Sequence, residues 1–185
     1  MTTTLCVTDS TVADPVAAPV LAAVLDCVLA LYDELQTKGI TAPCAAAVVS
    51  GAAPALDRGL DETAGCCGQL WVRLVSLYPS TEAFPDQDAT PRRLEDMSWA
   101  VQLEVGLVRP APVIQEVAGE AVLPPMEEEQ EAAAVAVTDA AIIRQALMSN
   151  YAEDQDVAVV LGAFVPFGPD GGIVGGATNV TVQVV

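Results

Sequence analysis

The chain has no histidine, and that absence alone removes several kinds of chemistry. Serine–histidine and cysteine–histidine nucleophile pairs are excluded, and so are the commonest metal ligand and the usual general base near neutral pH. Basic residues are also scarce: seven Lys and Arg stand against 25 Asp and Glu, for a formal charge of −18. A surface of that sign repels phosphate, which argues against tight nucleic-acid binding and against docking on an anionic membrane leaflet. Aromatics make up 4% of the residues, so a core has to be assembled from Ala, Val and Leu with few large anchors. No stretch holds the roughly 18 uninterrupted apolar residues of a membrane-spanning helix. The start, MTTTLCVTDS, lacks the basic and apolar regions of a secretion signal. These features predict a soluble protein made in the cytoplasm.

Hydrophobic residues make up 52% of the 185 positions, enough for one sizeable core. The expectation is a single domain over 1–185, with residues 1–14 as a flexible arm. The stretch ADPVAAPVLAAVLDCVLALYDELQTKG predicts a first helix, with Asp14 as its cap, Pro15 at its first position and Lys38 with Gly39 at its end. Leu21, Val24, Leu25, Val28, Leu31, Tyr32 and Leu35 recur at three- and four-residue spacing and make one apolar stripe. A short apolar segment, 45–50, follows.

Two later stretches alternate with period two. In QLWVRLVSLYP, Trp71, Arg73, Val75 and Leu77 fall on one face and Leu70, Val72, Leu74, Ser76 and Tyr78 on the other. Such a strand is buried on both faces, or covered on one of them by a neighbouring subunit. In SWAVQLEVGLV, Trp99, Val101, Leu103, Val105 and Leu107 oppose Ala100, Gln102, Glu104 and Gly106, which predicts a half-exposed strand. MEEEQEAAAVAVTDAAIIRQALMSNY predicts a second helix with acids in its first turns and a buried face of Val135, Ala136, Ile142, Ile143, Ala146 and Leu147. Residues 157–165 read as a buried strand, FGPDGGIVGG as a turn, and Val180, Val182 and Val184 as one face of a last strand. Residues 80–96 and 109–125 read as long loops. This order of elements predicts an α+β fold, a mostly antiparallel sheet of four to five strands with two helices packed on one face.

The residues that invite a chemical role have plainer explanations. Cys6, Cys27, Cys44, Cys66 and Cys67 are an odd set without a regular framework. Adjacent residues in a strand point to opposite faces, so Cys66 and Cys67 diverge rather than converge on a metal. In a reducing compartment all five read as small hydrophobes. Ser50 has no histidine to activate it. Asp86 with Asp88 and Asp154 with Asp156 lack the further oxygens of a calcium loop and read as solvated loop acids. The glycines of 168–176 precede a strand, whereas a phosphate cradle needs a helix start after them. No catalytic, cofactor-binding or metal-ligating residue is therefore expected, and no cofactor. A small enzyme using Asp or Glu chemistry ranks as the alternative from a different class, since no carboxylate pair is singled out by spacing or by an apolar setting.

The order of elements carries a resemblance. An N-terminal helix, CCGQLWVRLVSLYPSTEAFP, the strand MSWAVQLEVGLVRPAP, a helix opened by EEEQ, DVAVVLGAFVPFGPDGGIVGG and a closing strand together resemble the tail terminator and neck proteins of long-tailed actinobacteriophages, over residues 16–185. The resemblance implies a structural virion protein and not an enzyme. It implies a homo-oligomeric, six-fold ring that caps the tail tube and joins it to the head connector, assembled in the host cytoplasm. The implied partners are further copies of the chain, the tail tube protein and the connector proteins; genomic DNA passes through without specific binding, and no membrane is involved. Another connector component, a stopper or head completion protein, is the alternative within that class. The loop residues Phe84, Arg92 and Arg93 are the expected interface candidates.

Overall fold

The structure is a computed structural model that describes residues 14–51, 68–88, 93, 96–117, 119–152, 157–170 and 172–184. Its elements run α1 (Ala17–Gln36), β1 (Ala45–Val49), β2 (Gln69–Pro79), β3 (Trp99–Pro110), β4 (Gln115–Val117), β5 (Glu120–Val122), α2 (Met126–Ala152), β6 (Val159–Asp170) and β7 (Ile173–Val184). Five strands form one sheet in the order β1-β2-β3-β7-β6, and β4 and β5 pair separately as a small hairpin. The β1–β2 pair is parallel and the other pairs are antiparallel. Both helices pack on one face of the sheet, as the α+β reading predicts.

The first helix forms where its end signals place it. The Asp14 carboxylate accepts from the backbone N–H of Val16 at 2.9 Å and of Ala17 at 2.8 Å, which satisfies two of the donors left open at a helix start. At the other end Gly39 takes φ 84°, its N–H donates to Gln36 and that of Ile40 donates to Leu35. This double bond around a left-handed residue closes the helix, and glycine adopts that conformation without the usual Cβ penalty. The stripe of α1 is buried at Ala17, Leu21, Val24, Leu25, Val28 and Tyr32. It shares one core with Leu70 and Val72 of β2, Val101, Leu103, Val105 and Leu107 of β3, Val180 and Val182 of β7, and Ile142, Ile143, Ala146 and Leu147 of α2.

Several local expectations are revised. The alternation in β2 does not run through: the β2–β3 register shifts between Leu74 and Ser76. The extra residue there reverses the later side chains, so Leu77 joins the helix-covered core with Leu70 and Val72 instead of the face of Trp71. The second side of β3 is not a half-exposed polar face, because Ala100 and Val108 are fully buried there. Residues 157–165 are not a buried strand. β6 is the edge of the sheet, with Val160 40% and Val165 64% exposed.

The turn expected over FGPDGGIVGG is shorter than that stretch, since β6 reaches Asp170 and β7 starts at Ile173. Gly175 and Gly176 lie inside β7, and the ring of Phe164 rests on Gly176 where a Cβ would stand. The stretch 109–125 is not a plain loop, because β3 extends to Pro110 and the β4–β5 hairpin follows.

Of the cysteines read as small hydrophobes, Cys44 is revised. Cys44 is disulfide-bonded, to a cysteine outside the described residues. Cys66 and Cys67, expected to enter a strand, lie outside the described residues as well. Cys27 is a free thiol on α1 that reaches the Ala146 carbonyl at 3.7 Å, and burial pushes its pKa up, which suits a small packed side chain.

By length and composition Met126–Ser149 of α2 is long and apolar enough to cross a membrane, at mean hydropathy 1.3, which an uninterrupted-run criterion misses. Its packing is uneven. Asp139, Ile142, Ile143, Ala146 and Leu147 are buried against the core, whereas Val135, expected on the buried face, is 37% exposed.

Candidate interaction surface

A groove of about 790 Å³ opens where the first half of α2, the turn after α1 and the end of β3 come together. Its floor is a buried ionic cluster. Arg109 donates from Nε to Asp139 Oδ2 and from Nη2 to Asp139 Oδ1, each at 2.8 Å, and Nη2 also donates to the Thr41 carbonyl at 2.8 Å. The Tyr32 hydroxyl donates to Asp139 Oδ1 at 2.6 Å. Asp139 is 3% exposed, Arg109 7% and Tyr32 fully buried. Four separate parts of the chain, α1, the turn after it, β3 and α2, thus meet at one carboxylate and one guanidinium.

Arg109 and Tyr32 each hold one protonation state. Burial alone would lower the pKa of Arg109, but the hydrogen bonds to Asp139 and the charge of that carboxylate outweigh it and leave the pKa raised. Burial, then the charge of Asp139, pushes the Tyr32 phenol well above its ordinary range. The guanidinium stays charged and the phenol stays protonated at any working pH, so the cluster acts as a lock and not as an acid–base pair.

The sheet face without helices carries a second network. Trp71 is 2% exposed and lies over Gly106, where a Cβ would stand inside the indole. The Trp71 ring meets Phe167 with centroids 6.3 Å apart and planes inclined by 32°. Its Nε1 donates to Glu104 Oε1 at 3.1 Å, and Arg73 grips the same carboxylate with Nε at 2.8 Å and Nη2 at 2.9 Å.

Glu104 is held below the ordinary carboxylate range, first by the Arg73 hydrogen bonds, against an opposing contribution from burial, with the indole hydrogen bond and the charge of Arg73 adding to the lowering. A lowered folded-state pKa means that the stabilisation is present above the unfolded value and is lost as pH falls through the folded one. Glu104→Gln is expected to cost about 1 kcal/mol at neutral pH, a figure kept small because the pair is partly solvated. Urea unfolding of both proteins should show the gap closing as pH falls below the ordinary carboxylate range, once the wild-type carboxylate is protonated in folded and unfolded chains alike. A gap that does not change with pH would mean that the charge of Glu104 contributes nothing.

The expected interface residues are only partly placed. Phe84 is half-buried, Arg93 is exposed, and Arg92 lies outside the described residues. Residues 80–88 are tied to the sheet by the chain itself. Ser80 Oγ donates to the Asp86 carbonyl at 2.6 Å, Tyr78 Oη to that of Pro85 at 2.6 Å, and Gln183 Nε2 to those of Ser80 and Thr81 at 3.1 and 2.9 Å. These bonds hold residues 80–88 against the sheet.

Arg109, Asp139 and Tyr32 were missed as a group, yet each sat in a legible pattern. Arg109 continues the core-facing parity of Leu103, Val105 and Leu107. Asp139 stands three, four, seven and eight residues before Ile142, Ile143, Ala146 and Leu147, on the same helical stripe. An acid on one apolar stripe and a base on another call for each other.

Exposed apolar residues are spread over the molecule: Val135, Val137 and Met148 lie along α2 and Val48 on β1, and two further groups stand out. One is the end of the molecule formed by the hairpin and the start of α2, where Val113, Ile114, Val122, Leu123 and Met126 are 48–71% exposed. The other is split between opposite margins of the sheet. β1 ends opposite Arg73 and leaves the second half of β2 uncovered, with Leu74 and Val75 37% and 41% exposed, while Val160 and Val165 lie on β6 at the far edge. Among the described residues no group of His, Cys, Asp and Glu could hold a metal ion. No known family matches the chain, and no curated protein is similar to it.

Proposed function

We propose that this chain is a ring-forming structural protein. The observation that carries this reading is the exposed apolar surface on both margins of one sheet, Leu74 and Val75 on one side and Val160 and Val165 on the other. A margin that meets the opposite margin of the next copy is a head-to-tail contact, and such a contact builds a ring when the rotation between copies closes. Exposed apolar residues of this kind mark protein contacts more often than they mark reaction centres. Within that class, the order of elements favours a phage tail terminator that caps the tail tube and joins it to the head connector. The charge of −18 suits a channel through which DNA passes without adhering.

Light scattering on the purified chain, alone and mixed with the tail tube protein, tests both levels. A mass near six chains of 19.1 kDa is expected, alone or only with the tube protein. Val165→Lys should return that mass to the monomer, because it buries an unpaired charge at the contact. A wild-type chain that stays monomeric with tube and portal proteins alike overturns the reading. Assembly with the portal protein but not the tube protein would move the chain to a stopper position.

A further inference from the structure

The second half of α2 is packed, and its first half is not. From Met126 to Thr138 no residue of the helix is buried, so about 20 Å of helix, at ~1.5 Å per residue, stands out past the core. The groove of about 790 Å³ lies under this overhang. Glu128, Glu131, Ala132, Val135 and Thr138 line it at three- and four-residue spacing, as one helical face, with Ile40 and Pro110 across from them. Apolar walls rimmed by carboxylates are a shape for another polypeptide segment, and the charge says which kind.

Between Pro110 and Ile143 the chain carries Glu116, Glu120, Glu127, Glu128, Glu129, Glu131 and Asp139 with no Lys or Arg. Asp139 is neutralised by Arg109, whose guanidinium it shares with the Thr41 carbonyl. Lys38, beside the groove residue Gly39, is 64% exposed and sits 3.9 Å from Glu34. The rim carboxylates Glu128 and Glu131 have no cationic partner among the described residues. A second copy is a poor occupant, since a chain of charge −18 brings further carboxylates to an acidic rim.

We infer that this groove docks a basic, apolar-studded segment of a partner protein other than this chain. The apolar side chains of the segment enter between Val135 and Ile40, and its Lys or Arg residues meet Glu128 and Glu131. This is the helix- or strand-in-groove mode in which regularly spaced apolar anchors give affinity and flanking charges give selectivity. The inference does not depend on the ring reading, whose contacts lie at the sheet margins.

Fluorescence anisotropy tests it, with the full chain, a labelled Leu/Lys amphipathic peptide and its Leu/Glu counterpart. The Lys peptide alone is expected to bind. The double variant Glu128→Lys/Glu131→Lys should weaken it about tenfold or more, while Asp33→Lys/Glu34→Lys, an equal change of charge on the exposed face of α1, should weaken it less than about threefold. Val135→Arg, which leaves the start of α2 intact, should also abolish binding with an unchanged circular dichroism spectrum. The mass of any ring should be the same in all these variants, which separates this test from that of the ring. Equal losses in the two double variants, equal binding of both peptides, binding to phosphatidylcholine vesicles in place of the peptide, or self-association that Glu128→Lys/Glu131→Lys abolishes would each overturn the inference.

Discussion

Asp139→Ala is expected to destabilise the chain by about 3–5 kcal/mol, the usual cost of removing one partner from a buried ion pair. At ~2–4 °C per kcal/mol for a chain of this size, the melting temperature should fall by about 6–20 °C. The reason is the state of what remains. Arg109, 7% exposed, would keep its charge without the carboxylate that neutralises it, and the buried Tyr32 hydroxyl would lose its acceptor. Asp139→Asn should cost less, because an amide oxygen in the place of Oδ1 still accepts from Tyr32 Oη and Arg109 Nη2, and the bond from Arg109 Nε is lost. The double variant Asp139→Leu with Arg109→Met should recover most of the loss, since removing both charges leaves nothing uncompensated. A cost below about 1 kcal/mol for Asp139→Ala would mean that water reaches the pair from the groove.

Trp71→Ala is expected to cost a similar amount, about 3–5 kcal/mol, for a different reason. The indole is the largest fully buried side chain, and it covers Gly106 and packs against Phe167 on the face without helices. Its loss opens a cavity on that side and removes one hydrogen bond to Glu104. Trp71→Phe keeps most of the ring without the donor, so its smaller loss measures the hydrogen bond and the lost volume apart from the cavity. Gly106 supplies a further check. Gly106→Ala places a methyl inside the indole and should destabilise the wild type, by about 1–3 kcal/mol, yet it should be tolerated or helpful in Trp71→Ala, where it fills part of the space. Additive losses would show that the two residues do not share that space. Chemical unfolding monitored by circular dichroism reads all four proteins.

The two networks explain how a sheet with helices on one side keeps its other side closed. Few aromatics are available, so the exposed face is served by one tryptophan on one glycine, with an Arg73–Glu104 pair beside it. The helix face is served by small aliphatic residues and by a single ionic lock. That lock also sets the position of α2: it joins the helix to the sheet at Asp139, after which the helix is buried and before which it projects. The groove therefore exists because the lock sits in the middle of the helix and not at its start.

Much of this was legible in the sequence, and the boundary is physical. The stripe of α1 with its Asp14 cap and Gly39 stop, the alternation of β3, and the α+β class follow from periodicity and end signals, which depend on neighbours within a few residues. The edge position of β6, the register shift that sends Leu77 into the core, the hairpin inside 109–125 and the disulfide at Cys44 do not. Each depends on which distant segment lies alongside. Arg109 and Asp139 mark the division most clearly. Their places on apolar stripes were written in the chain, but that a base on β3 and an acid on α2, thirty residues apart, answer each other was settled only by the packing of helix on sheet, since burial makes an unpaired charge costly and only the folded chain supplies the partner.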